Sequence, residues 1–115
     1  MITNLTRQTT VATDVEIARN LWQRTQGLLG REGLPQGRAL IIPYCESIHM
    51  FFMKFPIDVI FCDRNHKVVG LCANIKPFCM SPIFFKASYA IELPAGSIAS
   101  SHTQKGDALK CPPLP

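Results

Sequence analysis

Residues 45–63 concentrate the side chains of this chain that could do chemistry. Within one largely apolar stretch lie a thiol (Cys45), an imidazole (His49), an ammonium (Lys54) and a carboxylate (Asp58). An imidazole beside a cysteine can hold it as a thiolate, and a carboxylate can orient the imidazole. One interpretation is therefore a hydrolase or transferase in which Cys45 is the nucleophile, His49 is the base and Asp58 orients the base.

The same residues also have an ordinary structural explanation. Cys45 can be a small core hydrophobe, and His49 can bond to a backbone carbonyl. Asp58 can pair with Lys54 or accept hydrogen bonds from backbone amides. Since buried polar groups are more often satisfied than reactive, the sequence favours a ligand-binding or interaction module over an enzyme. The predicted ligand site, which suits a small polar or anionic ligand, comprises His49, Lys54, Asp58 and Phe52.

A metal centre is a further alternative built on the same stretch. Histidine, thiolate and carboxylate together suit zinc. The candidate ligands would be His49, Cys45 and Asp58, with His66 or His102 in addition. No two histidines have the four-residue spacing of a helical metal site, and the five cysteines contain no C-x-x-C pair. We therefore expect no metal and no other cofactor.

The apolar pattern predicts a chain built mostly of strands. Residues 57–62 are β-branched or aromatic apart from Asp58 and the terminal cysteine, so they should form a buried strand. Side chains alternate along a strand, which places Asp58 with Ile60 on one face and Ile57 with Val59 on the other. Further strands are predicted at 9–18, 39–42, 67–75, 87–93 and 108–111, an extended segment at 49–54, and helices at 21–29 and 98–101.

The first predicted helix should cover the sheet. Asn20 can cap its start and Gly30 can end it. A glycine inside a helix costs about 1 kcal/mol relative to alanine, so we expect Gly27 to serve close packing there. The apolar face of this helix would comprise Leu21, Trp22, Thr25, Leu28 and Leu29.

These elements indicate a mainly β (α+β) fold. We expect a small barrel-like or strongly curled, mostly antiparallel sheet with one short helix packed on it. A length of 115 residues suits one domain. Residues 1–8 should be frayed, 9–111 should form the domain, and 112–115 should be a proline-rich tail.

Charge and cysteine content indicate the environment and the partners. The net charge is +4, and the basic residues are scattered, so no nucleic-acid partner is expected. An odd number of cysteines and the lack of a leader at the N-terminus indicate a cytoplasmic protein. No apolar run approaches the roughly twenty residues that a membrane helix needs, so no membrane partner is expected, and we expect a monomer.

Five pieces of the sequence, taken together, resemble the domain of unknown function 192 family. They are R-T-Q-G-L-L-G-R (24–31), I-H-M-F-F-M-K-F-P-I-D-V-I-F-C-D (48–63), K-P-F (76–78), I-E-L-P-A-G (91–96) and K-G-D (105–107). The resemblance implies a compact, barrel-like, mostly β domain with the G-L-L helix packed on it, and it implies no reaction. Two departures stand out: Met50 replaces a usual threonine, and Asn65-His66 replaces a usual Asp-Gly or Asn-Gly turn. Histidine tolerates positive φ less well than glycine, which makes a tight two-residue turn there less favourable.

Overall fold

Strands dominate the computed structural model of the chain. It describes the backbone of all 115 residues and every side chain except those of Leu21, Thr25 and Gln26. The described chain contains two short helices and eight strands. They are β1 Ile2–Asn4, β2 Thr9–Ala12, β3 Asp14–Ile17, α1 Leu21–Gln26, β4 Arg38–Pro43, β5 Ile57–Cys62, β6 Val68–Ile75, β7 Tyr89–Pro94, α2 Ser97–Ser101 and β8 Leu109–Lys110.

The strands pair into two sheets. One has three strands in the order β2-β1-β8, and the other has five in the order β3-β4-β7-β5-β6. Every pairing is antiparallel except that of β3 with β4. The prediction of a mainly β, mostly antiparallel fold is therefore confirmed. Within the described chain no pairing joins the end strands β3 and β6, so the five-stranded sheet stays open and does not close into a barrel.

The five-stranded sheet is buried on both faces, and the side chains of β5 alternate between the two core clusters. Ile57 and Val59 pack in one core cluster, whereas Ile60 packs in the other, as the alternation predicted. We call the two sides the Leu28 face and the Ile98 face. The Leu28 face includes Leu28, Leu40, Ile48, Met50, Ile57 and Val59. The Ile98 face, covered by the three-stranded sheet and α2, includes Ile2, Ile60, Ile91, Leu93, Ile98 and Leu109.

The first helix is shorter than predicted. Asn20 caps it as expected, because its side chain accepts from the Gln23 backbone N–H at 2.8 Å. The helix ends at Gln26 because Gly27 has φ +52, outside the helical region, and its N–H donates back to the Gln23 carbonyl. The prediction of a helix running to Leu29 with Gly27 inside it and Gly30 ending it is therefore wrong.

The predicted apolar face of that helix is also only partly observed. Trp22 is 72% exposed, whereas Leu28, in the turn after the helix, is buried. Leu21 and Thr25, the other members assigned to the helix itself, lie outside the described side chains. The sheet is therefore covered here by the turn after α1 and by residues 48–53.

Three further predictions need correction. The segment 1–8 is not frayed throughout, because β1 pairs with both β2 and β8, and Ile2 is fully buried. The strand predicted at 9–18 divides at Thr13 into β2 and β3, which belong to different sheets. Residues 49–54 are not one extended segment: His49 forms an isolated β-bridge with Met80, and the chain then turns at residues 51–52, where Phe52 takes a positive φ of 64.

The predicted hairpin of β5 and β6 is confirmed as antiparallel. Its turn holds His66 at φ 63, the position at which glycine is usual, and the His66 N–H donates to the Asp63 carbonyl at 3.0 Å. No helix among the described residues is long and apolar enough to cross a membrane.

Candidate functional site

Asp58 lies on the Ile98 face, where it holds backbone together. It pairs across the sheet with Leu93 and is 1% exposed. Its two carboxylate oxygens accept from the backbone N–H groups of Asn74 at 2.8 Å, Gly96 at 3.1 Å and Ile98 at 2.8 Å. A buried carboxylate with three amide donors is well satisfied, so Asp58 fixes the end of β6 and the start of α2.

Lys54 and Phe52 lie away from Asp58, at the protein surface. The Lys54 ammonium pairs with the Glu32 carboxylate at 2.7 Å, and both side chains are exposed. Of the two structural alternatives for Asp58, the pair with Lys54 is therefore not formed, and hydrogen bonding to backbone amides is observed. Phe52 is 77% exposed at the tip of the turn 50–53. Of the four predicted ligand-binding residues, only His49 lines the cavity on the Leu28 face that is described next.

The structure brings Cys45 and His49 to one cavity on the Leu28 face. This cavity has a volume of about 100 Å³. Because Asp58 points to the opposite face of the sheet, it does not orient the His49 imidazole. The Cys45 thiol donates to the Ser47 carbonyl at 3.1 Å, and burial raises its pKa to about 11. Cys45 is therefore a neutral thiol at pH 7, unlike an activated nucleophile.

Glu92, in β7, is the acidic residue that the sequence interpretation missed. It pairs across the sheet with Leu40 and Val59, both on the Leu28 face, and it lines the same cavity. Glu92 is only 5% exposed, and burial raises its pKa to about 7 although the charge of Arg31 lowers it. The segment Y-A-I-E-L-P contains one acid in an apolar strand, the same signal that identified Asp58.

Two more residues shape this cavity. A Cβ atom placed on Gly27 would lie 3.5 Å from the Glu92 Oε1 atom, so the turn after α1 approaches the carboxyl closely. Arg24 supplies a cation: its Nε atom donates to the Pro43 carbonyl at 3.1 Å, and its guanidinium lies 5.2 Å from the Tyr44 ring centroid. The cavity thus combines a carboxyl, a thiol, an imidazole and a guanidinium.

A metal-binding group is not found among the described side chains: no three or more His, Cys, Asp or Glu residues are placed to hold an ion. The candidate ligands are dispersed. Asp58 and His49 lie on opposite sides of the sheet, His66 bonds through Nδ1 to the Tyr89 hydroxyl at 2.8 Å, and His102 follows α2.

Comparison with known proteins identifies the family. The profile of the domain of unknown function 192 family, described as Uncharacterized ACR, matches residues 2–111. A UPF0127 protein of Pyrococcus horikoshii is 34% identical over 115 residues, which cover 96% of this chain and 97% of the relative. A UPF0127 protein of Thermococcus sibiricus is 33% identical over 113 residues, covering 95% of this chain and 73% of the relative.

The fold recurs in a crystal structure of a protein of unknown function from Novosphingobium aromaticivorans. The TM-score is 0.75 with 23% sequence identity, and the match covers 84% of this chain and 74% of that one. At this identity the likeness concerns the fold alone. From the sequence matches over nearly its whole length, we conclude that the chain belongs to the domain of unknown function 192 family, whose relatives carry the name UPF0127.

Proposed function

We propose that this domain binds a small polar or anionic molecule in the cavity lined by Glu92, His49, Cys45 and Arg24. One observation carries the proposal: a carboxyl that is 5% exposed lines a cavity instead of lying in closed packing. Burying a carboxyl has a free-energy cost unless another group compensates for it. A buried ionisable group in a cavity with a perturbed pKa is a common property of binding and catalytic sites.

The size of the cavity restricts the ligand. Its volume is about 100 Å³. An apolar cavity of about 150 Å³ accepts benzene with its six non-hydrogen atoms, so by the same ratio about four non-hydrogen atoms fit here. A short carboxylic acid or hydroxy acid has this size, and its charge suits the Arg24 guanidinium.

The protonation of Glu92 determines which sign of charge the cavity prefers. Below its pKa of about 7 the carboxyl is neutral and can donate a hydrogen bond to a ligand oxygen. Above that value it is a carboxylate, which repels an anion. We therefore expect anion affinity to fall as the pH rises through 7, whereas the affinity for a small amine would rise.

Binding is favoured over the alternative of a hydrolase or transferase with Cys45 as nucleophile and His49 as base. The Cys45 pKa of about 11 leaves only a trace of thiolate at neutral pH. Iodoacetamide labelling at pH 7 tests this directly. We expect Cys45 to react more slowly than the exposed thiol of Cys79 in the same protein; faster labelling of Cys45 would support the enzyme instead.

Nuclear magnetic resonance titration with short carboxylates and short amines tests the proposed ligand class. We expect acetate or glycolate to shift the amide signals of residues around Glu92 at pH 6 and to do so more weakly at pH 8. In the Glu92→Gln variant the amide donor persists at every pH, so carboxylate affinity should fall less between pH 6 and pH 8 than it does in the wild type. Amines that bind more tightly than carboxylates at both pH values, or no binding of either class, would refute the proposal.

A further inference from the structure

Two turns at one end of the β5–β6 hairpin present phenylalanine side chains to solvent. The turn 50–53 is closed by the Met53 N–H donating to the Met50 carbonyl at 3.2 Å. The turn 76–79 is closed by the Cys79 N–H donating to the Lys76 carbonyl at 3.2 Å. The Phe78 N–H also donates to the Met50 carbonyl at 2.7 Å, which joins the two turns. We call residues 50–53 and 76–79 the phenylalanine turns.

Each turn holds a phenylalanine in a backbone conformation that usually requires glycine. Phe52 has φ 64 and Phe78 has φ 66, each at the third position of its turn. A type II turn needs positive φ at that position and normally has glycine or asparagine there. A bulky residue with positive φ is an outlier, because its Cβ crowds the following carbonyl oxygen. Strain of this kind points to a function when local packing does not require it.

Packing inside the molecule does not account for these rings. Phe52 is 77% exposed and Phe78 is 63% exposed, and they contact each other edge to face at 6.1 Å between centroids. Beside them Phe51 is 41% exposed, and Met80 is 65% exposed. Together the four side chains form a projecting apolar surface.

Two lysines, Lys54 and Lys76, border this surface, and the Glu32 carboxylate that pairs with Lys54 leaves its local charge weakly positive. Residues 47–57 contain Lys54, and residues 75–83 contain Lys76. Neither segment contains Asp or Glu. Lys54 pairs with Glu32 at the surface, and such an exposed pair exchanges readily for another anion. An apolar surface bordered by lysines is complementary to an interface that is both anionic and apolar.

We propose that the phenylalanine turns dock the domain on the surface of an anionic lipid bilayer, with the exposed rings inserted at the level of the headgroups. This inference goes beyond the proposed ligand site and does not depend on it. It also reverses the expectation from the sequence that the protein has no membrane partner, since the sequence alone does not show that these rings face solvent.

The size of the surface favours a bilayer over a protein partner. A buried aromatic side chain covers about 150–250 Å², so four partly exposed side chains offer roughly 500 Å². A stable protein interface buries about 800 Å² on each partner, mostly on flatter surfaces. Rings at the tips of turns need less area at a bilayer, because lysines add attraction to anionic headgroups.

Flotation with lipid vesicles tests the proposal on the full chain. We expect the protein to float with vesicles of phosphatidylcholine and phosphatidylglycerol in equal parts, less so with phosphatidylcholine alone, and less so as salt is raised. Replacing both rings, Phe52→Gly with Phe78→Gly, should weaken this binding by about tenfold or more, because the apolar surface that inserts into the bilayer is lost. The same variant should melt at or above the wild-type temperature, because glycine relieves both strained positions.

Phe85→Gly is the matched control. Phe85 is 80% exposed, does not have positive φ, and lies with Asp63 and Lys67 at the opposite end of the hairpin. We expect this control to bind vesicles like the wild type.

Four results would overturn the proposal. The first is a wild-type protein that does not float with anionic vesicles, and the second is an equal loss of binding in Phe85→Gly. The third is a double glycine variant that melts well below the wild type, which would show that the rings hold the fold. The fourth is self-association of the wild type that the double variant loses, without vesicle binding, which would assign the surface to a second copy of the chain.

Discussion

Replacing Glu92 with glutamine should change how the stability of this protein depends on pH. Glutamine has nearly the same shape as a protonated glutamic acid and cannot ionise. In the wild type, burial raises the Glu92 pKa from its ordinary value of 4.5 to about 7. Between these two pH values the folded protein holds a proton that the unfolded chain has lost. The free energy of unfolding should therefore fall as the pH rises through this range.

The size of the effect follows from the pKa. One pKa unit corresponds to about 1.4 kcal/mol, so keeping Glu92 ionised in the folded state at pH 8 costs about 3 kcal/mol. The contribution of Glu92 to stability is complete below pH 4.5 and is lost above about 7. For a domain with a total stability of about 5–15 kcal/mol, this is a measurable fraction.

Urea unfolding followed by circular dichroism at several pH values between 5 and 8 is the assay. We expect the wild type to lose about 2–3 kcal/mol across this range through Glu92, and the Glu92→Gln variant to lose much less. The variant should consequently be the more stable protein at pH 8.

Glu16→Gln provides a control with the opposite sign. A hydrogen bond from Arg31 lowers the Glu16 pKa against the effect of burial, so its charged form is favoured in the folded state. The same chemical change at Glu16 should make the protein less stable at pH 8. Parallel pH profiles for the wild type and Glu92→Gln would show that the Glu92 carboxyl is solvated or already paired, and would refute the assignment.

Three more substitutions test other parts of the structure by urea unfolding. Asp58→Ala should lower the free energy of unfolding by about 3 kcal/mol or more, because three backbone N–H groups lose their acceptor. The surface control Lys54→Ala should change it by about 0.5 kcal/mol or less. Equal effects of the two substitutions would contradict the structural role of Asp58. Gly70→Ala should cost about 1–3 kcal/mol, because its Cβ would clash with the Phe84 ring. Replacing that ring with a smaller side chain, Phe84→Leu, in the same chain should restore part of the loss. Against the effect of burial, hydrogen bonds from Arg7 and Asn4 lower the Asp107 pKa below its ordinary value of 3.8. The free energy of unfolding should therefore fall as the pH drops through the pKa of Asp107 in the folded protein, and Arg7→Met should make this dependence on pH less steep. An unchanged acid profile in Arg7→Met would remove Arg7 from the explanation.

Much of the fold could be predicted from local pattern. The apolar run of residues 57–62 identified the strand, because a strand buried on both faces carries apolar residues at nearly every position. The face of each side chain then followed from the alternation of side chains along a strand. Asn20 was identified as a helix cap because its side chain satisfies a free N–H group at the helix start.

Other features depend on contacts between distant residues. The pattern of 9–18 does not reveal that β2 and β3 join different sheets, because one alternation continues through both strands and nothing in it marks the change of partner. The phenylalanines at 52 and 78 take positive φ although their own preference is for extended backbone, so the turn at residues 51–52 could not be recognised. Likewise Gly27 ends α1 because its φ is positive, whereas the sequence had indicated Gly30 as the residue that ends the helix.

The candidate site shows the same limit most clearly. Asp58 was selected because it interrupts an apolar strand, and Glu92 interrupts another apolar strand in the same way. The sheet register separates them: Glu92 pairs with Val59, the neighbour of Asp58, so adjacent positions on paired strands send the two acids to opposite faces. Which acid shares a face with Cys45 and His49 is a property of the three-dimensional pairing, and the sequence of either strand does not contain it.

The difference between these two acids explains why one is structural and the other is a candidate for function. Asp58 is surrounded by three backbone donors that a folded chain supplies, so its charge is compensated within the protein. Within the described part of the chain, no comparable set of donors faces Glu92, which instead lines a cavity with a pKa of about 7. A ligand that forms a hydrogen bond with the Glu92 carboxyl from within the cavity would offset part of the cost of its burial, whereas Asp58 is already held by backbone donors. The proposed binding site therefore rests on the position of Glu92 in a cavity rather than on the cysteine and histidine beside it.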